Sequence, residues 1–211
     1  DHAVRNDNYS IRYQNLSRDL NGKTMGLLGF GRIGFEVATA CKTVFKMTVL
    51  ACDPYLPDEV KAGYEELVTF VDKERLCRDS DLISVHVPLT EQTHHALSTA
   101  EFEQMKSEAI VINTSRGPVI DEEALVYALQ HKIIGGAGLD VQTREPPDSE
   151  SLLLKLDNVL LTPHSAALTN ECVIRMATDA ADRTIEVLSG KKPLNVANPE
   201  VLAGSRWQHL V

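Results

Sequence analysis

The stretch Thr24-Met25-Gly26-Leu27-Leu28-Gly29-Phe30-Gly31-Arg32-Ile33-Gly34, followed on to Asp53, decides the fold of this 211-residue chain. Thr24 to Leu28 is a short apolar run suited to a buried strand, and it leads directly into a glycine turn. Val37, Ala38, Cys41, Val44 and Phe45 then recur at helical spacing, and a second apolar run, Met47 to Cys52, ends on Asp53. Each part of this strand–turn–helix–strand–acid unit has a physical task. Gly29 permits the sharp turn, Gly31 lets the backbone approach a pyrophosphate, and Gly34 lets the helix pack closely, while the helix N-terminus offers N–H groups to the anion. About twenty residues past the turn, Asp53 can accept hydrogen bonds from both hydroxyls of an adenosine ribose. A glycine-rich turn alone also occurs in other α/β proteins; the flanking strand, helix and terminal acid supply the context a dinucleotide site requires. A 2′-phosphate beside Asp53 meets a like charge, and Pro54-Tyr55-Leu56 holds no basic residue to offset it, so NAD is favoured over NADP.

At 43% hydrophobic residues the chain can bury a full core as one domain with an appended arm. A net charge of −9 argues against a nucleic-acid partner, which needs a basic face. No apolar run approaches the roughly twenty residues that span a bilayer, and Asp1-His2-Ala3-Val4-Arg5 is no signal peptide. Cys41, Cys52, Cys77 and Cys172 have neither metal nor redox spacing. Three of them lie in or beside apolar segments, which predicts buried thiols in a reducing cytoplasm and no metal.

Working outward, residues 1 to 20 read as an entry helix or arm. Residues 21 to 192 read as the cofactor domain, and 193 to 211 as a segment returning towards a second domain. After Asp53 come a weak strand over Glu66 to Phe70, a helix over Val71 to Arg78 and a strand over Asp81 to Val87. A helix near Thr99 to Met105 and a strand from Ala109 to Asn113 follow. Asp121, Glu122 and Glu123 open a helix whose inner face is Leu125, Ala128 and Leu129. Strands are predicted at Gly138 to Val141 and Asn158 to Thr162, then a long helix from Thr169 to Ser189 with Gly190 as its stop. Strands alternating with helices, several apolar on both faces, predict a Rossmann-type α/β fold: a doubly wound parallel sheet with helices on both faces.

Ligands of such a sheet sit at the carboxyl ends of its strands. The polar residues just past those ends are Asp53, His86, Arg116, Asp140 and His164, with Glu145 in the loop after Asp140. Three of them suit carbonyl–alcohol redox chemistry on a 2-keto acid. Arg116 can hold a carboxylate with its bidentate fork, and His164 can deliver a proton near neutral pH. Glu145, bonded to the other ring nitrogen, would orient that ring and favour its charged form. Singly, each also suits a plain role: a loop arginine paired with an acid, a capped loop histidine, a solvated loop acid.

The chain resembles the nucleotide-binding domain of the D-isomer-specific 2-hydroxyacid dehydrogenases. The resemblance rests on Gly26 to Gly34, His86-Val87-Pro88-Leu89-Thr90, Asn113-Thr114-Ser115-Arg116-Gly117, Gly136 to Val141, Glu145-Pro146 and Thr162 to Thr169, in family order over about residues 20 to 199. It implies catalytic roles for Arg116, Glu145 and His164. It also implies cofactor contacts at Gly29, Gly31, Arg32, Ile33, Gly34, Asp53, His86, Val87, Pro88, Thr93, Thr114, Ser115, Asp140 and His164. His86 equally suits a strand-end histidine with a structural hydrogen bond. The implied function is NAD-dependent interconversion of a D-2-hydroxy acid and a 2-keto acid by a cytoplasmic homodimer. The phosphoglycerate and hydroxypyruvate reductase branches are the nearest in wording. Cofactor-sensing corepressors on the same fold are the alternative.

Three departures from the family stand out. Gln142 replaces an aromatic, which predicts a differently set Glu145 loop. Lys46 replaces a glycine, which predicts strain if the backbone there is left-handed. The family's preceding substrate-binding residues do not occur in the sequence, so this chain alone is expected to bind NADH with little turnover.

Overall fold

A strand buried on both faces needs a layer above and below it, and β1 (Thr24–Leu28) is buried at every residue after the first. Met25 and Leu27 point into one core while Leu28 points into the other, so the sheet is covered twice. The computed structural model describes residues 2–13, 16–204 and 207. Residues 1, 14 and 15 of the expected arm, and 205, 206 and 208–211 of the expected C-terminal segment, lie outside the described residues.

The chain forms two compact units, divided between His164 and Ser165. In the first, a short helix α1 (His2–Arg5) and a 3-10 turn (Tyr9–Tyr13) precede β1. Then follow α2 (Arg32–Thr43), β2 (Thr48–Cys52), α3 (Asp58–Ala62), β3 (Thr69–Phe70), α4 (Lys73–Asp79), β4 (Leu82–Val85), α5 (Thr99–Gln104), β5 (Ile110–Asn113), α6 (Glu122–Gln130), β6 (Gly136–Leu139) and β7 (Val159–Leu161). All seven strands are parallel, in the order β3-β2-β1-β4-β5-β6-β7. One core joins Ala38 and Cys41 of α2 to Leu27, Val49 and Ala51. The other joins Leu76 of α4, Phe102 of α5 and Leu125 of α6 to Ile83, Val85 and Val111. Cys41, Cys52 and Cys77 are buried as expected, and burial pushes the Cys77 thiol up to about 12.

The second unit holds α7 (Asn170–Leu188) and a 3-10 turn (Pro199–Ala203). The Thr169 hydroxyl caps α7 by accepting from the Cys172 N–H at 3.0 Å. Gly190, at φ 77, ends it in the left-handed conformation predicted for a stop. No residue of α7 is buried.

Three elements differ from expectation. Val44 and Phe45 were expected to continue the helical spacing of the first long helix, yet α2 stops at Thr43 and both are exposed. The chain instead turns back through Lys46 so that Met47 reaches the core, its N–H donating to Cys41 O at 3.0 Å. β6 lies two residues before its expected place, because Gly135 and Gly136 allow close approach of neighbouring backbone. A Cβ on Gly136 would stand 2.9 Å from Asn158 O, and one on Gly135 2.8 Å from Glu108 O. β3 shrinks to Thr69–Phe70, since a turn held by Tyr64 O occupies the residues before it and β3 pairs only with β2.

Lys46 has φ 53, the left-handed conformation in which glycine is free of Cβ strain. Lys46→Gly is therefore expected to stabilise the chain by a few tenths to about 1 kcal/mol, strain relief outweighing the extra unfolded-state entropy. Urea unfolding checks it; a lower midpoint for the variant would contradict the account.

Candidate active site

Neighbouring β1 and β4 are the point at which strand order reverses, and a cleft of ≈ 810 Å³ opens at their carboxyl ends. Its floor is the glycine turn. Gly29 has φ 96, and a Cβ there would meet Val87 Cγ1 at 2.8 Å and the His86 carbonyl carbon at 2.9 Å. A Cβ on Gly34 would fall 2.6 Å from Gly29 O, so α2 can start this close only because Gly34 lacks one. Gly31 differs: a Cβ there would meet nothing within 4 Å. The space it leaves open belongs to the cleft, where the first N–H groups of α2 have no intrahelical partner and favour an anion.

Asp53, just past β2, is held by backbone donors on both oxygens: the Phe30 N–H at 2.9 Å and the Tyr55 N–H at 3.1 Å. The carboxylate is thus fixed at the cleft wall with lone pairs left over for further donors. Cys52 beside it is a poor nucleophile, its thiol pushed up first by burial and then by the Asp53 charge.

On the opposite wall stand His86, Val87, Pro88 and Thr93. Thr93 is buried, and its hydroxyl donates to Pro88 O at 2.6 Å and accepts from the Thr90 N–H at 2.8 Å. It braces the turn that follows β4. His86 Nε2 is buried without a hydrogen-bond partner among the described residues, and burial pushes the imidazole pKa down.

Further along the same sheet edge, Asn113 ends β5 fully buried. Its Nδ2 donates to Arg116 O at 2.9 Å, and its Oδ1 accepts from the Ser115 N–H and hydroxyl, each at 2.9 Å. One buried amide therefore shapes the Thr114–Arg116 loop. The exposed Arg116 guanidinium donates to Ser115 O at 2.6 Å. Asp140, buried just past β6, accepts a hydrogen bond from the Thr162 hydroxyl, and its carbonyl accepts the His164 N–H at 2.8 Å. That bond holds His164 at φ 51, a conformation a non-glycine residue keeps only when its surroundings impose it. The His164 Nδ1 lies 2.7 Å from Glu145 Oε2, while Glu145 Oε1 accepts the Gln142 N–H at 3.0 Å. The Glu145 carboxyl is held below the usual carboxylate range, first by His164 and then by the Gln142 N–H.

Of the residues singled out in the sequence, Gly29, Gly31, Asp53, His86, Val87, Pro88 and Thr93 line the cleft. Gly34 shapes it from beneath, and Arg32 and Ile33 open α2 on the surface. Thr114, Ser115, Asp140, Arg116, Glu145 and His164 lie outside this cleft, past β5, β6 and β7. Sequence reasoning missed the supports: Asn113, Thr162, and the Phe30 and Tyr55 amides. Asn113 and Thr162 stood inside quoted motifs, and a buried amide or hydroxyl at a strand end was the available signal. Lys61, Phe70 and Lys73 also line the cleft and gave no local sign of it.

An anion-ready helix start, an acid fixed at the cleft wall and a switch-point cleft define a dinucleotide-binding domain of the Rossmann type. Residues 1–166 match the family described as D-isomer specific 2-hydroxyacid dehydrogenase, NAD binding domain, and the chain belongs to that family. It is 43% identical over 188 residues to a glyoxylate reductase of Korarchaeum cryptofilum, covering 89% of this chain and 55% of that protein. Among solved structures, D-lactate dehydrogenase with NAD+ from Lactobacillus jensenii superposes with a TM-score of 0.77 at 32% identity, covering 86% of this chain and 57% of that one. An acyclic imino acid reductase in complex with NADPH and D-Arg gives 0.82 at 32% identity, covering 93% and 60%. The chain thus spans little more than half the length of such relatives. No helix among the described residues is long and apolar enough to cross a membrane.

The lowered His86 pKa has a consequence for stability. The unfolded chain takes up a proton on this ring at about pH 6.5, whereas the folded chain resists it. Stability from this group is therefore complete above that pH and lost as pH falls below it. Urea midpoints compared between pH 7 and pH 5 should fall less for His86→Leu than for the wild type; an equal or steeper fall would contradict this.

Proposed function

We propose that the chain is the cofactor domain of an NAD-dependent oxidoreductase that interconverts a D-2-hydroxy acid and a 2-keto acid. The observation that carries this reading is the 2.7 Å pair between His164 Nδ1 and Glu145 Oε2 on a domain that binds NAD. Glu145 fixes the tautomer, so Nε2 is the nitrogen that faces substrate. The bound nicotinamide supplies the hydride for reduction and accepts it for oxidation. During reduction a C–H bond forms at the keto carbon and the carbonyl π pair moves onto oxygen. His164 Nε2 gives its proton to that oxygen; in oxidation the same nitrogen takes the hydroxyl proton. Arg116, on the loop shaped by Asn113, holds the substrate carboxylate. Glyoxylate and hydroxypyruvate are the substrate class we expect, supported by the named activity of the Korarchaeum relative and of a glyoxylate/hydroxypyruvate reductase B from Enterobacter agglomerans.

Cofactor choice follows from Asp53. Its carboxylate, set by two amides, suits free ribose hydroxyls and opposes a 2′-phosphate. The measurement is NADH- and NADPH-dependent reduction of glyoxylate and hydroxypyruvate by the full-length protein. We expect faster turnover with NADH, a loss of roughly 10²–10⁴-fold on His164→Ala, and a narrower cofactor gap on Asp53→Ala. Undiminished turnover in the His164 variant sinks the acid–base reading, and preference for NADPH sinks the role of Asp53.

We also propose a homodimer, the commonest closed arrangement. Val4, Tyr9, Tyr13 and Leu16 on the arm are each more than half exposed, which supports the arm as part of the pairing surface. Sedimentation of the full-length protein at micromolar concentration should give twice the chain mass; a monomer throughout would refute it.

A further inference from the structure

We propose that Gly117 and Glu122 are positioning residues for the Glu145–His164 pair, seating the loop that carries Glu145 against the loop that carries Arg116. The proposal deepens the acid–base reading above and rests on it.

Gly117 is buried, yet its φ is not in the left-handed region, so backbone conformation does not demand glycine. Space does. A Cβ on Gly117 would lie 2.0 Å from the Gln142 carbonyl oxygen, 2.1 Å from its carbon and 2.5 Å from the Thr143 nitrogen. All three atoms are backbone, so no side-chain rotation could relieve the contact. The peptide unit joining Gln142 to Thr143 is therefore pressed flat against the residue that follows Arg116.

The same peptide is also tied to α6. The Thr143 N–H donates to Glu122 Oε2 at 3.2 Å. Glu122 opens α6, whose cap is Asp121, accepting the Ala124 N–H at 3.1 Å. An acid in the first turn of a helix ordinarily serves the helix dipole; here one of its oxygens serves a loop 21 residues away. One residue back, the Gln142 N–H donates to Glu145 Oε1 at 3.0 Å, and Glu145 Oε2 meets His164. A displacement of the Gln142–Thr143 peptide thus reaches His164 through two hydrogen bonds and no flexible side chain other than Glu145. On the Arg116 side, Asn113 keeps the partner loop from yielding, since its amide holds Arg116 O.

The outcome is a rigid junction in which the carboxylate anchor and the acid–base pair share one contact. Gly117 makes room for it, and Glu122 keeps it closed. Neither touches substrate or cofactor in this account.

The test is side-chain carboxyl titration of Glu145 by ¹³C NMR, with amide exchange of Thr143, in the 211-residue chain and its Gly117→Ala, Glu122→Ala and Glu122→Gln variants. In the wild type the Thr143 amide should exchange slowly. Glu122→Ala and Gly117→Ala should move the Glu145 midpoint upward, towards the ordinary carboxylate range, because both hydrogen bonds that lower it lengthen. Glu122→Ala should also speed Thr143 exchange. Glu122→Gln loses the charge but keeps a carbonyl acceptor, and should restore both readouts; a general loss of helix stability would not be rescued this way. If Gly117→Ala does not fold, the two Glu122 variants decide. A folded Glu122→Ala with an unmoved Glu145 titration and unchanged Thr143 exchange overturns the proposal. No substrate or cofactor enters these measurements, so they fail or succeed separately from the dehydrogenase reading, which turnover tests.

Discussion

The close approach of α2 to the turn after β1 is the constraint on which the rest of the structure depends. With a Cβ on Gly34 only 2.6 Å from Gly29 O, any other residue there would lift the helix off the turn. Lifting it would move the helix N-terminus away from the cleft and draw Ala38 and Cys41 out of the core they share with Leu27 and Val49. Once the helix is seated, β2 is delivered beside β1, and Asp53 arrives where the Phe30 amide can hold it. A packing requirement and a binding requirement are met by the same atom's absence.

The remaining strands extend that edge in one direction. Because every strand is parallel, each carboxyl end adds its loop to the same side of the sheet: His86 after β4, Arg116 after β5, Asp140 after β6 and His164 after β7. The loops themselves are held by buried polar groups. Asn113 and Asp140 lie at or just past strand ends and Thr93 in the turn after β4, and each satisfies loop backbone or hydroxyl groups that water would otherwise have to serve. The residues proposed for binding and acid–base work thus stand on loops, but the loops are pinned to strand ends.

Much of this was legible in the sequence where local chemistry dictates the outcome. Strands buried on both faces read as continuous apolar runs, and Gly29, Gly34 and Asp53 occupy places only a nucleotide-binding turn requires in combination. Legibility failed where a distant contact overrode the local pattern. Val44 and Phe45 continue a helical stripe, yet the chain leaves the helix before them so that Met47 can be buried. The strand expected at Gly138 begins at Gly136 because Gly135 and Gly136 make close contacts with Glu108 and Asn158 that no local pattern announces. Gly117, Glu122 and Asn113 sat inside or beside recognised motifs, but their work is done across loops that only the fold brings together. Lys46 was the reverse case: lysine in place of a family glycine was expected to cost strain if the backbone there is left-handed, and its φ of 53 is left-handed.

The central claim is that the cleft between the glycine turn and the β4 loop is the NAD site of this chain, oriented by Asp53 and the start of α2. A crystal structure of the chain grown with NAD+ tests that most directly. The account predicts the diphosphate over Gly31 at the first turn of α2 and both adenosine ribose hydroxyls on the Asp53 carboxylate. A dinucleotide bound elsewhere, or one whose ribose leaves Asp53 uncontacted, would contradict it.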